Sequence, residues 1–315
     1  MVRTDTIFLP GHDAALVRIK GSDKGIAVST DCNSLYCYLD PFEGGKIALA
    51  ESARNVACTG ARPLAFTNCL NFGNPMKPEI FWQFKKCVEG IRNAALKFMT
   101  PVTGGNVSLY NENPQGAIYP TPTIAMVGVM DDCLKSIQSF FKSEGDSVYL
   151  LGDTLNELGA SHYLMVEHGL KMGIPPQLDL DKEFQLHEFL ILCANEKLVE
   201  SFHDISEGGF AVALAECCFA KNLGIKVNGV KDYCSARNIR LDAFLFGETQ
   251  SRVIASVSRS KVKQFETRAK ELKVPFMQIG TVGGNVVSID KVIKIKVKEL
   301  KTLFEGVLPN ALGRL

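Results

Sequence analysis

Short apolar strand-length runs alternate with amphipathic helices along this 315-residue chain, which predicts a mixed α/β (α+β) protein of two domains. Three observations carry that reading. The length exceeds one typical domain, helical periodicity recurs at 46–59, 78–98 and 182–200, and around 131–146 the pattern weakens while charge rises. The boundary is therefore expected there, with domains over 1–134 and 146–315.

Composition narrows the function classes. With 46% hydrophobic and 22% charged residues and a net charge of +1, nothing favours nucleic acid or an anionic membrane as partner. No run approaches the roughly 20 apolar residues that span a bilayer. The start, Met1-Val-Arg-Thr-Asp-Thr-Ile-Phe-Leu, lacks a secretory pattern, so a cytoplasmic location is expected. Ten cysteines without a CxxC pair, two of them adjacent (Cys217-Cys218), read as buried thiols in a reducing compartment.

Residues 14–20 and 25–30 read as strands separated by Gly21-Ser22-Asp23. A helix is expected from Lys46 to Thr59 with Gly60 as its C-terminal stop, and Glu51 and Asn55 share one face of it with Arg54 alongside. A strand over Pro63–Thr67 leads into a turn-rich loop, Asn68–Pro75. Pro78 opens a long helix, since a proline lacking its N–H costs little at a first helical turn, and Thr100-Pro101 stops it. A strand over 120–130 completes the first domain in the order β-β-α-β-α-β-β.

In the second half, a strand over Ser147–Gly152, a helix over 182–200 and a helix entered through His203-Asp204-Ile-Ser206-Glu-Gly208-Gly209 are expected. A strand at Val253–Val257, a helix near 260–272 and strands near 275–281 and 285–289 follow.

The stretch Pro101-Val-Thr-Gly-Gly-Asn-Val-Ser-Leu-Tyr110 is the most suggestive site signal. Paired glycines let backbone N–H groups face an anion, and Asn106 and Ser108, two apart, share a side of an extended segment. An amide and a hydroxyl suit phosphate oxygens or Mg²⁺ rather than proton abstraction. The same glycines also fit a plain structural bend. No HExxH, GxSxG or GxxxxGK[ST] pattern occurs. What remains is a scattered set of oxygen ligands, Asp13, Asp31, Glu51, Asn55, Asn68, Asn106 and Asp204. Their convergence would suit Mg²⁺ with phosphates, and caps and turns would equally explain most of them.

Longer strings are more specific. Leu39-Asp-Pro-Phe-Glu-Gly-Gly-Lys-Ile-Ala48, Cys69-Leu-Asn-Phe-Gly-Asn-Pro75, Lys77-Pro-Glu-Ile-Phe-Trp-Gln-Phe84, Gly105-Asn-Val-Ser-Leu-Tyr-Asn-Glu112 and Phe246-Gly-Glu248 with Ser251-Arg252 resemble the second half of phosphoribosylformylglycinamidine synthase, small form. The resemblance implies an aminoimidazole-ribonucleotide-synthetase-like fold. In it the first domain pairs through strands into a pseudo-dimeric barrel and a second α/β domain flanks it. It implies ATP-dependent amidation of formylglycinamide ribonucleotide in purine biosynthesis, with ATP and Mg²⁺ as cofactors. The implied partners are a first-half domain or chain, a glutaminase subunit and a small bridging subunit, with homodimerisation when isolated. Carried over by position, Asn68 and Gly105 contact ATP, Asn106 binds magnesium and Ser108 contacts substrate; Asn68 stands where the family has aspartate. Asp13, Glu51, Asn55 and Asp204, with Ser206, match an auxiliary Mg-nucleotide site. The family's catalytic histidine belongs to a first-half Glu-Thr-His-Asn-His-Pro motif whose nearest counterpart here, Thr30-Asp31-Cys32-Asn33, has none. The chain is thus expected to be inactive alone. A non-catalytic nucleotide-binding scaffold, or a self-contained homodimeric relative of aminoimidazole ribonucleotide or selenophosphate synthetase, are the other readings.

Overall fold

The structure is a computed structural model that describes residues 5–8 and 11–313. Its elements in order are β1 (Ala15–Arg18), β2 (Gly25–Asp31), α1 (Ser34–Leu39), α2 (Pro41–Cys58), β3 (Arg62–Asn71), α3 (Pro78–Phe98), β4 (Val102–Ser108), the short β5 (Glu112–Asn113) and β6 (Gly116–Ala117), and β7 (Thr121–Met130). Then come β8 (Ser147–Leu151), α4 (His162–His168), α5 (Leu180–Asn195), β9 (Ser201–Asp204), α6 (Gly209–Cys217), β10 (Ile225–Val227), α7 (Val230–Arg237) and α8 (Leu241–Phe246). The series ends with β11 (Val253–Val257), α9 (Val262–Glu271), β12 (Phe276–Val282), β13 (Val286–Ile289), β14 (Ile293–Lys296) and α10 (Val297–Ala311). Among the described residues, no helix is long and apolar enough to cross a membrane.

Two sheets organise these elements. The first runs β1-β2-β7-β3-β4, antiparallel except for the parallel β3–β4 pair, and the second runs β14-β13-β10-β12-β8-β11-β9. Helices α2 and α3 cover one face of the first sheet. Its other face is open: Val17 pairs with Ile26 and Val28 with Val127, and Val17, Ile26 and Val28 stay more than a third exposed.

Helix α2 is the pivot of the molecule. Asp40 caps it by accepting from the N–H groups of Phe42 and Glu43, and Pro41 sits at the first turn. It therefore starts five residues before the expected Lys46. The obstacle to seeing this is Gly44-Gly45, a pair that ordinarily disfavours helix. Here the glycines serve close packing. A Cβ on Gly44 would lie 2.4 Å from the Cys37 nitrogen, and one on Gly45 would lie 2.4 Å from the Cys87 carbonyl oxygen. Of eighteen residues in α2, only Phe42 and Asn55 are not buried, because α3, the first sheet, α5 and β9 surround it. The same helix thus belongs to two cores: Ala50 and Val56 pack under the first sheet, Ala57 and Cys58 under the second.

Three other expectations shift. Strand β3 extends through Asn71, absorbing half of the loop expected at Asn68–Pro75. The helix expected over 182–200 ends at Asn195. His203 and Asp204 lie at the end of a strand, β9, rather than at a helix start.

Candidate functional site

Two polar clusters emerge. The first lies on the edge of the first sheet. Asn68, Cys69 and Asn71 of β3 are side by side with Gly105, Asn106 and Ser108 of β4. Alternation along the strands divides them. Asn68 lies on the helix-covered face, where a groove of about 640 Å³ between α3 and the β3–β4 edge includes Phe66, Ile91 and Ala95. Asn106 and Ser108 lie with Cys69 and Asn71 on the open face. That face grades from apolar, at Val17, Ile26 and Val28, to polar at its β4 end.

The paired glycines adopt extended backbone without positive φ, so they build no anion-binding turn. Gly105 answers a packing demand instead. A Cβ there would sit 2.1 Å from the Asn68 Oδ1 atom, so the Asn68 amide lies directly across the Gly105 backbone. Asn111, which sequence reasoning did not single out, fixes the following turn: its Nδ2 donates to the carbonyls of Ser108 (2.9 Å) and Phe72 (3.0 Å). Tyr110 accordingly takes a left-handed φ of 61°. Strand β4 pairs with β3 alone, and its other edge meets no strand among the described residues.

The second cluster lies where α2 meets β9. Asp13, Asn55, Asp204 and Ser206 together line a cavity of about 870 Å³ with His12, His203 and Glu216. Four of the five expected auxiliary residues therefore converge from three separate segments. Asn55 reaches the cavity because it is one of the two unburied positions of α2. His203 is gripped by two carboxylates, Nδ1 to Asp13 at 2.6 Å and Nε2 to Glu216 at 3.0 Å. Burial opposes its charge, but Asp13 and Glu216 outweigh burial and hold the imidazolium well above the usual histidine range.

Glu51, the fifth residue, is not among those lining the cavity. Its carboxylate groups with those of Asp31 and Glu207, all within 4.8 Å of one another. Burial and mutual repulsion raise the affinity of Asp31 and Glu51 for protons well above the carboxylate norm. Fully buried Arg54 stands among these groups. Its guanidinium pairs with Asp204 through Nε and Nη2, with Glu183 at 2.9 Å, with Glu51 at 3.4 Å and with Gln250 at 3.2 Å. Burial lifts Asp204 to about 6 in spite of Arg54. For Glu183, Arg54 joined by His187 and Ser251 overcomes burial and brings the carboxyl down to about 2. Sequence reasoning placed Arg54 beside Glu51 and Asn55 without a role. The available signal was an arginine between Ala50, Ala53 and Ala57 on a helix, where only a buried acidic partner makes the charge tolerable. Glu183 and Glu216 carry no comparable signal.

The donor set suits a hard divalent cation. Asp13 Oδ2 and Asp31 Oδ2 are both buried without a hydrogen-bond partner, one in each acidic group. A buried carboxylate oxygen without a partner is costly, and a cation relieves that cost.

Comparison with known proteins identifies the two halves of the fold. Residues 11–130 match the profile of the AIR synthase related protein, N-terminal domain, and residues 143–291 match that of its C-terminal domain. The phosphoribosylformylglycinamidine synthase subunit PurL of Caldanaerobacter subterraneus subsp. tengcongensis is 47% identical over 310 residues, 97% of this chain and 42% of that protein. The chain thus spans less than half the length of this curated relative. Among solved structures, T. maritima PurL complexed with FGAR superposes with a TM-score of 0.78 at 18% identity, covering 94% of this chain and 49% of that one. T. maritima PurL complexed with ATP gives 0.72 at 19%, covering 91% and 46%. At these identities the superpositions speak to the fold.

Proposed function

The chain belongs to the AIR synthase related proteins, and on that premise we propose that it works as the second half of an ATP-dependent phosphoribosylformylglycinamidine synthase, active only with a first half. The reaction is amidation of formylglycinamide ribonucleotide with glutamine-derived ammonia. A glutaminase subunit and a small bridging subunit complete the proposed assembly, in the cytoplasm.

The observation that carries this reading is the open face of the first sheet. Its exposed apolar residues on β1 and β2, with half-buried Val127 of β7 beside them, form the kind of patch that marks an interface. Its polar end presents Asn106 and Ser108 beside an unpaired β4 edge. A second sheet packed face to face would cover the apolar part and enclose the polar part, forming a barrel with the site at its rim. On that face Asn106 helps to hold Mg²⁺ and Ser108 orients the ribonucleotide, while Asn68 and the Gly105 backbone, on the helix-covered side of the same two strands, hold ATP from across the β4 edge. These groups bind and align; none is a base at neutral pH, so proton transfer falls to the other half. Bound Mg²⁺ would supply charge neutralisation on the phosphates during transfer. Asn68 offers a neutral oxygen where the family has a carboxylate, and its Nδ2 adds a donor that aspartate lacks.

Asp13, Asn55, Asp204 and Ser206, with Glu51 nearby, form in this proposal an auxiliary Mg-nucleotide site that stabilises the fold without turnover. Mutagenesis separates the two sites. In the reconstituted enzyme, Asn106→Ala and Ser108→Ala should each lower turnover at least tenfold while leaving Mg-ADP binding by the isolated chain unchanged. Asp204→Ala should do the reverse to binding. Full turnover with Ser108→Ala would remove Ser108 from the proposed site.

A further inference from the structure

The 870 Å³ cavity has a wall that neither family profile includes: α10, which begins at Val297, beyond the matched residues 143–291. Lys301, Phe304 and Glu305 of this helix line the cavity. Val297 is buried in the second core, whereas Leu303, Val307 and Leu308 are more than 60% exposed, so the helix is fastened at its start and along one side. Two contacts do the fastening near the cavity. Lys301 Nζ donates to the Phe219 carbonyl at 3.2 Å, and the Phe304 ring lies 5.4 Å from the Phe219 ring.

The cavity consequently differs from end to end. Asp204 and Asn55 mark the polar floor. From Asp204 the contacts run through the neighbouring His203 to Glu216, and Phe219 follows less than one helical turn later. There the lining becomes aromatic, with Phe219 and Phe304. An acidic floor suits a cation and its phosphates, and an aromatic surface suits a flat base, which stacks for about 1–3 kcal/mol.

We propose that α10 is a working wall of this pocket, in which Phe304, backed by Phe219, is the platform for a nucleotide base and Lys301 is the positioning residue that holds the helix there. This deepens the auxiliary-site reading above and rests on it. Phe304 is 57% exposed, so its ring has a free surface for a base to cover.

Calorimetry with Mg-ADP and with Mg-pyrophosphate as probes tests the idea on the full chain. Phe304→Ala should weaken Mg-ADP about tenfold and leave Mg-pyrophosphate within twofold, a separation that general loosening of the fold would not produce. Lys301→Met should weaken Mg-ADP similarly, and Lys301→Arg should restore it. Leu308→Ala, on the same helix but outside the cavity lining, should bind as the unaltered chain does. Unchanged Mg-ADP binding in Phe304→Ala overturns the role of α10 while leaving the nucleotide site standing. Failure of the unaltered chain to bind Mg-ADP overturns both.

Discussion

At the scale of single residues, Arg54 decides whether the domain junction can exist. It compensates Asp204, Glu183 and Glu51 inside the protein, and removing one member of such a buried network strands the others. Arg54→Met should therefore cost about 3–5 kcal/mol, read as a lowered urea midpoint. Arg54→Lys should recover little of it, because an ammonium cannot reproduce the forked contacts. Glu183 gives a pH signature. Its carboxyl ionises at about 2 in the fold, below the ordinary 4.5, so its stabilisation is complete above pH 4.5 and is lost as pH falls toward 2. A shift of that size corresponds to something on the order of 3 kcal/mol. Glu183→Gln should flatten the acid limb of the stability curve over that window, whereas an unchanged limb would show that other carboxylates govern acid unfolding.

At the scale of elements, the crossing of α2 and α3 shows why some of the fold was legible and some was not. The proline start and the apolar stripe of α3 are local features, and the sequence exposes them; at α2 the expected start at Lys46 misses Pro41. The α2 glycines disfavour a helix locally, and what justifies them lies in other elements: Gly44 faces the backbone of Cys37 in α1, and Gly45 faces that of Cys87 in α3, each too close for a side chain. Gly90 of α3 mirrors them: a Cβ there would lie 2.1 Å from the Phe42 carbonyl oxygen. Gly90→Ala should consequently lower stability by about 1–3 kcal/mol, the usual cost of overpacking, despite alanine's better helix propensity. A gain in the denaturation midpoint would mean that the crossing yields easily. The site was legible to a similar degree. Asp13, Asn55, Asp204 and Ser206 were each indicated by position through the family resemblance, and all four line one cavity. Their connection through His203, Glu216 and Arg54 depends on β9 folding beside α2, and no local pattern announces that. The placement of Asn68 opposite Gly105 was equally hidden, since it follows from the parallel register of β3 and β4.

At the scale of the whole molecule, the two clusters differ in completeness. The cavity beside Arg54 is walled by several segments of this chain, from Asp13 to α10, and opens to solvent. The Asn106–Ser108 cluster has one wall, an open sheet face with an unpaired edge next to it. A site of that kind needs a second surface to exclude water and to bring a base, and the apolar end of the same face supplies the means of attaching one. The most direct test is an amidation assay containing formylglycinamide ribonucleotide, ATP, Mg²⁺ and ammonia, run with this chain alone and then with a separately produced first half. The account predicts no turnover from either part and turnover from the mixture. Turnover by this chain alone would contradict it.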